Sequence, residues 1–308
     1  QPFITDAILY DKFGDQKDAV KKTFFSGNKL KEAFNTQRKV EEYFSRNNTF
    51  SREVRQGLYD IISDVIFFEV PDSNGQQFHF RISMEDTYSF KHLDPHSQSE
   101  LRKLYIDYFY HRQDELWRSE AMKKLPGLKR NTNMLVCGED LGMVPHCVPE
   151  VMDQLGILSL EIQRMPKKTG TEFFHPKDAP YLSVVTPSSH DMSTIRGWWE
   201  EDAFKTKRFY NMMLNHEGDA PEYCEPWLNR EIVVQHLYSP AMWCVFQLQD
   251  LMGMSATIRR EDPREERINN PSEPEHYWNY RMHINLEDLL KKTDFNEELK
   301  GYVHASGR

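Results

Sequence analysis

Over the first 125 residues the apolar positions recur mostly at helical spacing. Val20, Phe24 and Phe25 form one set, and Leu30, Phe34, Val40 and Tyr43 another, with Ser26-Gly27-Asn28 as a break between them. The period then changes. Asp64-Val-Ile-Phe-Phe-Glu-Val70 is β-branched and aromatic, Pro71-Asp72-Ser73-Asn74-Gly75 is a turn signal, and Phe78-His-Phe-Arg-Ile82 alternates, which predicts a β-hairpin near 64–82. A helix follows, with Ser97 or Ser99 as its N-cap and Leu101, Leu104, Tyr105, Tyr108 and Leu116 on one face.

Beyond residue 130 short apolar runs alternate with helical stretches. Asn133-Met-Leu-Val-Cys137 predicts a buried strand ending in Gly138-Glu139-Asp140-Leu141-Gly142. Pro149–Leu155 predicts a helix closed by Gly156. Ile157–Ile162 and Tyr181–Val185 predict two more strands, the second running into Thr186-Pro-Ser-Ser-His190-Asp191 and a helix with Trp198 and Trp199. Strands alternating with helices predict βα units and a parallel sheet. The expected division is a mostly helical region, 1–125, and a βα region, 126–308.

Composition narrows the classes. Hydrophobic residues make up 39% of the 308, enough for a sizeable core. The net charge of −9 leaves no basic field to neutralise phosphates, so nucleic acid is not expected as a partner. No apolar run is long enough to predict a membrane span. Cys137, Cys147, Cys224 and Cys244 are scattered without a CxxC pair, which predicts reduced thiols, no zinc site and a cytoplasmic setting.

Two of the predicted strands end in paired polar groups, Glu139-Asp140 and His190-Asp191. In parallel sheets the loops after strand C-termini collect reactive residues. A protonated carboxyl beside an ionised one suits acid/base work on a glycosidic bond. From spacing alone, an acidic residue there is more often a helix cap or a surface turn.

The strings are more specific. Cys137-Gly-Glu-Asp-Leu-Gly142, Gln163-Arg-Met-Pro166, Ser188-Ser-His-Asp191, Leu248-Gln-Asp-Leu-Met-Gly253 and Glu266-Arg-Ile-Asn-Asn-Pro271 occur in that order. The series resembles the 4-α-glucanotransferases called amylomaltases or disproportionating enzymes. The likeness is dense from about Asn131 to about Arg281 and looser before it, toward the longer plant-cytosolic and Bacteroides-like branch. It implies an α/β fold, the C-terminal part of a (β/α)₈ TIM-like barrel with a mostly helical inserted subdomain. It also implies retaining transfer of α-1,4-glucan segments between malto-oligosaccharides or branched α-glucans. Glu139 would be the general acid/base, and Asp191 would hold the reacting sugar and stabilise its transition state. His190, Asp140 and Asn269 would bind substrate. No metal or organic cofactor is implied.

The resemblance also implies a carboxylate nucleophile in an Arg-Ile-Asp-His type string, and this sequence contains none. With its Gln1-Pro2 start, the chain reads as the C-terminal portion of a catalytic domain, inactive alone and self-associating through an open barrel edge. The rival readings are a hydrolase or branching enzyme of the α-amylase clan, and a non-catalytic glucan-binding module. Blander assignments stand beside these. Cys137 reads as a small buried strand residue, and at least one of Trp198 and Trp199 as core. Asp250 reads as structural, Lys167 and Lys168 as solvated charges, and 261–267 as a solvated loop.

Overall fold

The computed structural model describes residues 2–142, 144–168, 170–273, 275 and 278–308. The chain forms two compact units, Gln1–Gln113 and Asp114–Arg308.

In the first unit helices α1 (Asp6–Phe13), α2 (Lys17–Phe24), α3 (Gln37–Phe44) and α4 (Arg52–Ser63) surround one aromatic-rich core. Leu9, Val20, Phe24, Val40 and Leu58 are fully buried there. Phe24 meets Phe34 and Tyr43 edge-on at 4.9 and 5.2 Å, a favoured ring geometry. Gly57 lets α4 approach α1, since a Cβ there would lie 2.6 Å from the Phe13 ring. The Ser26-Gly27-Asn28 break is a small hairpin, β1 (Phe25–Ser26) with β2 (Lys29–Leu30), and Gly27 supplies its φ of 60°. The predicted second hairpin is present as β3 (Phe67–Glu69) against β4 (Phe78–Phe80).

After α5 (Tyr88–Lys91) comes α6 (Pro95–Asp107). Its cap is Asp94, not Ser97 or Ser99: the carboxylate accepts from the His96 and Ser97 amides at 3.0 Å, and Pro95 opens the first turn. A π-turn at Tyr108–Arg112 leads into α7 (Gln113–Arg130).

The second unit holds the predicted parallel sheet. α8 (Cys147–Leu155) ends on Gly156 in the left-handed conformation, and β5 (Ser159–Ile162) follows. β5 pairs in parallel with β6 (Ser183–Thr186), which pairs in parallel with β7 (Trp243–Cys244). Helices α9 (Ile195–Trp199), α10 (Ala203–Met212), α11 (Pro226–Leu237), α12 (Leu248–Met252), α13 (Leu286–Leu290) and α14 (Thr293–Ala305) complete the unit. Their core contains Trp199, Phe209, Leu228, Ile232, Val233 and Met252. Trp198 and Trp199 are both buried in it, so neither is an exposed stacking platform.

Three expectations need correction. Residues 133–137 form no strand; one parallel bridge, Cys137 to Leu158, joins them to the start of β5. Met134 is 77% exposed, and Leu135 and Cys137 are exposed too, because no further strand among the described residues covers that side. Lys167 is not a solvated charge but bridges two buried carboxylates. Within 261–267, Glu266 is buried against the Arg196 guanidinium.

Candidate active site

The loop after β6 carries His190 and Asp191, and the chain around it is fixed at both shoulders. Arg164 donates to the Pro187 carbonyl at 3.1 Å and to the Ser193 carbonyl at 2.7 Å. Its guanidinium also lies 5.1 Å over the Trp198 ring. Burial lowers the Arg164 pKa to about 10, with Asp250 and Glu201 opposing the shift, so it stays cationic at neutral pH. Gln247 donates to the Ser189 carbonyl at 3.1 Å and to the Ser188 hydroxyl. That hydroxyl in turn donates to the Asp250 carboxylate, whose other oxygen takes the Ile195 amide at 2.7 Å. Burial pushes the Asp250 carboxyl upward, while Ser188 and the Ile195 amide pull it back. The Gln-Arg-Met-Pro and Leu-Gln-Asp-Leu-Met-Gly strings thus act on this loop from two sides. Asp250 is structural as expected, but sequence reasoning missed Arg164 and Gln247. Their signal was that both precede or sit within strings with no chemistry of their own.

At the loop's tip the Asp191 carboxylate is half-exposed. One oxygen lies 3.1 Å from His190 Nε2, and the other accepts from the Asn269 amide at 2.9 Å. Asn269 is buried, and its own carbonyl accepts from Arg267 Nε at 2.9 Å, which ties the 267–269 segment to this position. The indole of Trp278 stands 5.0 Å from the His190 ring. Three of the five expected site residues therefore meet. A carboxylate, an imidazole and an amide within hydrogen-bond reach can accept from and donate to adjacent hydroxyls on one sugar ring.

Asp140 is placed differently. It is buried, and its oxygens accept from the Leu160 amide at 2.9 Å and from Lys167 at 2.7 Å. Lys167 also donates to Glu161 at 2.7 Å. These contacts engage both Asp140 oxygens and pin the 138–142 turn to β5. Glu139 is exposed beside it, on the rim of an apolar cavity of about 390 Å³ lined by Trp117, Leu125, Val148 and Met152. No hydrogen bond joins Glu139 to Asp191, and none of His190, Asp191 and Asn269 lines that cavity. Among the described residues no group of three or more His, Cys, Asp or Glu side chains could hold a metal ion. No helix among them is long and apolar enough to cross a membrane.

The sequence that builds this site matches a known family. The 4-alpha-glucanotransferase family model fits residues 65–287, and the chain belongs to that family. The 4-alpha-glucanotransferase DPE2 of rice (Oryza sativa subsp. japonica) is 38% identical to it, over 100% of this chain and 34% of that protein. The 4-alpha-glucanotransferase of Chlamydia trachomatis is 27% identical over 57% of this chain and 33% of its own length. The chain thus spans about a third of these relatives. An amylomaltase from Streptococcus agalactiae, solved in complex with acarbose, overlays 59% of this chain and 34% of its own at 18% identity and a TM-score of 0.46.

Proposed function

We propose that this chain is the C-terminal part of the catalytic domain of a 4-α-glucanotransferase, which moves α-1,4-glucan segments between malto-oligosaccharides or branched α-glucans with retention. The observation that carries the reading is the His190–Asp191–Asn269 set on a clamped loop after β6, in a chain of this family. Asp191 and His190 hold the hydroxyls of the reacting glucose, and the carboxylate steadies the positive charge that develops on the ring. Glu139 protonates the leaving sugar oxygen and then takes the proton of the incoming hydroxyl. Asn269 orients the Asp191 carboxylate. The nucleophile is supplied from outside these 308 residues, as are the remaining barrel strands. The exposed Met134, Leu135 and Trp243 mark the open sheet edges at which the isolated chain self-associates. The four cysteines are all free, which suits a cytoplasmic enzyme.

The test is maltotriose disproportionation, followed by glucose release, with the 308-residue chain beside the longer parent protein. Turnover by the parent, its loss in the parent's Glu139→Gln variant, and none from the isolated chain are expected. Equal turnover from both would refute the division of labour, and water instead of sugar as acceptor would make the enzyme a hydrolase.

A further inference from the structure

Helix α10 and the segment up to residue 223 enclose a cavity of about 540 Å³ that includes none of Glu139, His190, Asp191 and Asn269. Two aromatic rings stand on its rim in water: Phe204 is 81% exposed and Tyr223 57%. Phe209 on the same helix is buried in the core, so Phe204 is not a core residue that failed to pack. The rim is fixed from behind. The buried Trp199 donates its indole N–H to the Pro221 carbonyl at 2.8 Å. Asn211 donates to the His216 and Gly218 carbonyls at 2.7 and 3.1 Å, and Gly218 turns the chain at a φ of 87°. Lys207 and Asp219 close one side at 2.6 Å.

The chemistry of the lining selects a ligand. Glu200, Asp219 and Glu222 bring three carboxylates against the single ammonium of Lys207, which disfavours phosphates and other anions. Flat rings expose apolar faces for the C–H side of a pyranose, while carboxylates accept from hydroxyl groups around the ring's edge. Concave sites with apolar walls and a few placed polar groups are the usual form of a small-ligand site.

We propose that this cavity is a second glucan-binding site, which holds a segment of an α-1,4-glucan on Phe204 and Tyr223. The inference rests on the proposed glucanotransferase reading for its substrate class. A polymer held here presents its other segments at a raised effective concentration, so the gain grows with chain length and vanishes for a trisaccharide.

The test is migration of the 308-residue chain through native gels with and without glycogen, beside maltoheptaose titrations. The proteins are wild type, Phe204→Ala/Tyr223→Ala, Tyr223→Phe and Asp191→Asn, with melting curves for each. The site predicts a tenfold or larger loss of glycogen retention in the double variant at unchanged melting temperature. Tyr223→Phe keeps its retention, because the ring face remains. Wild-type retention in the double variant, with loss in Asp191→Asn, overturns this inference and leaves the glucanotransferase reading standing. No retention by wild type overturns this inference alone, since the glucanotransferase reading is tested separately by turnover of the longer parent. Capture of oligolysine in place of glycogen, relieved by the double substitution, also overturns it by making the cavity a cation-binding surface.

Discussion

Asp140 and Asp191 stand in turns after parallel segments on opposite sides of β5, in strings that look equally chemical, yet the fold uses them in opposite ways. Asp140 is buried with both oxygens taken by the Leu160 amide and Lys167. Asp191 is half-exposed, and only its orientation is fixed, by Asn269 and His190. The difference lies in what each carboxylate can still do. A carboxylate whose partners are all protein groups contributes register and stability. One with an open face can meet a ligand whose charge changes during reaction. The same division separates Lys167 from the lysines it resembles in sequence.

The sharpest way to break this contrast is Lys167→Met, which leaves Asp140 and Glu161 buried without their shared cation. Removing one partner of a buried ionic set costs roughly 3–5 kcal/mol, read as a fall in urea midpoint. A change below about 0.5 kcal/mol, the range of ordinary surface substitutions, would show that the cluster is solvated after all.

Two histidines repeat the comparison. His236 is fully buried, with Nδ1 2.7 Å from the Ile232 carbonyl oxygen, whereas His190 is exposed. Burial lowers the His236 pKa from 6.5 to about 4. A base depressed in the fold binds fewer protons than in the unfolded chain. Its contribution is therefore complete above pH 6.5 and is lost as pH falls through about 4. The loss amounts to roughly 3 kcal/mol, and the difference between wild-type and His236→Gln stability profiles over that window measures it. Parallel profiles would contradict it.

Asp140→Asn comes next. The side-chain amide cannot satisfy both the Leu160 N–H and Lys167, and a loss of about 1–3 kcal/mol is expected in the same urea assay. Smallest of all is Asp191→Asn, whose effect on stability should stay within about 0.5 kcal/mol because Asn269 can still donate to the new carbonyl oxygen. A larger shift would place Asp191 among the scaffold residues.

Where local physics decides, the sequence already shows the fold. Alternation and a Pro-Asp-Ser-Asn-Gly turn marked the 67–80 hairpin, and Gly156 marked the end of α8. β5 and β6 were legible as short apolar runs, and each has a parallel neighbour along both edges. The run 133–137 read the same way, but an apolar pattern cannot say whether a neighbour is present to cover it, and here it forms a single bridge. β7 is only two residues long and leaves no periodic trace. Asp94-Pro95 outcompeted the serines as a cap because its carboxylate reaches two amides and the proline needs no donor. Within the site, His190, Asp191 and Asn269 were legible from the ordered strings. Arg164, Lys167 and Glu266 were not, since a charge shows its burial only when its partner arrives from a distant segment: Glu266 meets Arg196 from 70 residues away.

The most direct test of the contrast is transfer activity per folded molecule in the longer parent protein, with Asp191→Asn and Asp140→Asn compared on maltotriose. The account predicts that Asp191→Asn loses roughly 10²–10³ in kcat with an unchanged melting temperature. Asp140→Asn should lower the melting temperature while the folded fraction keeps its turnover. Near-normal turnover in Asp191→Asn, or an equal collapse in Asp140→Asn at full stability, would contradict it.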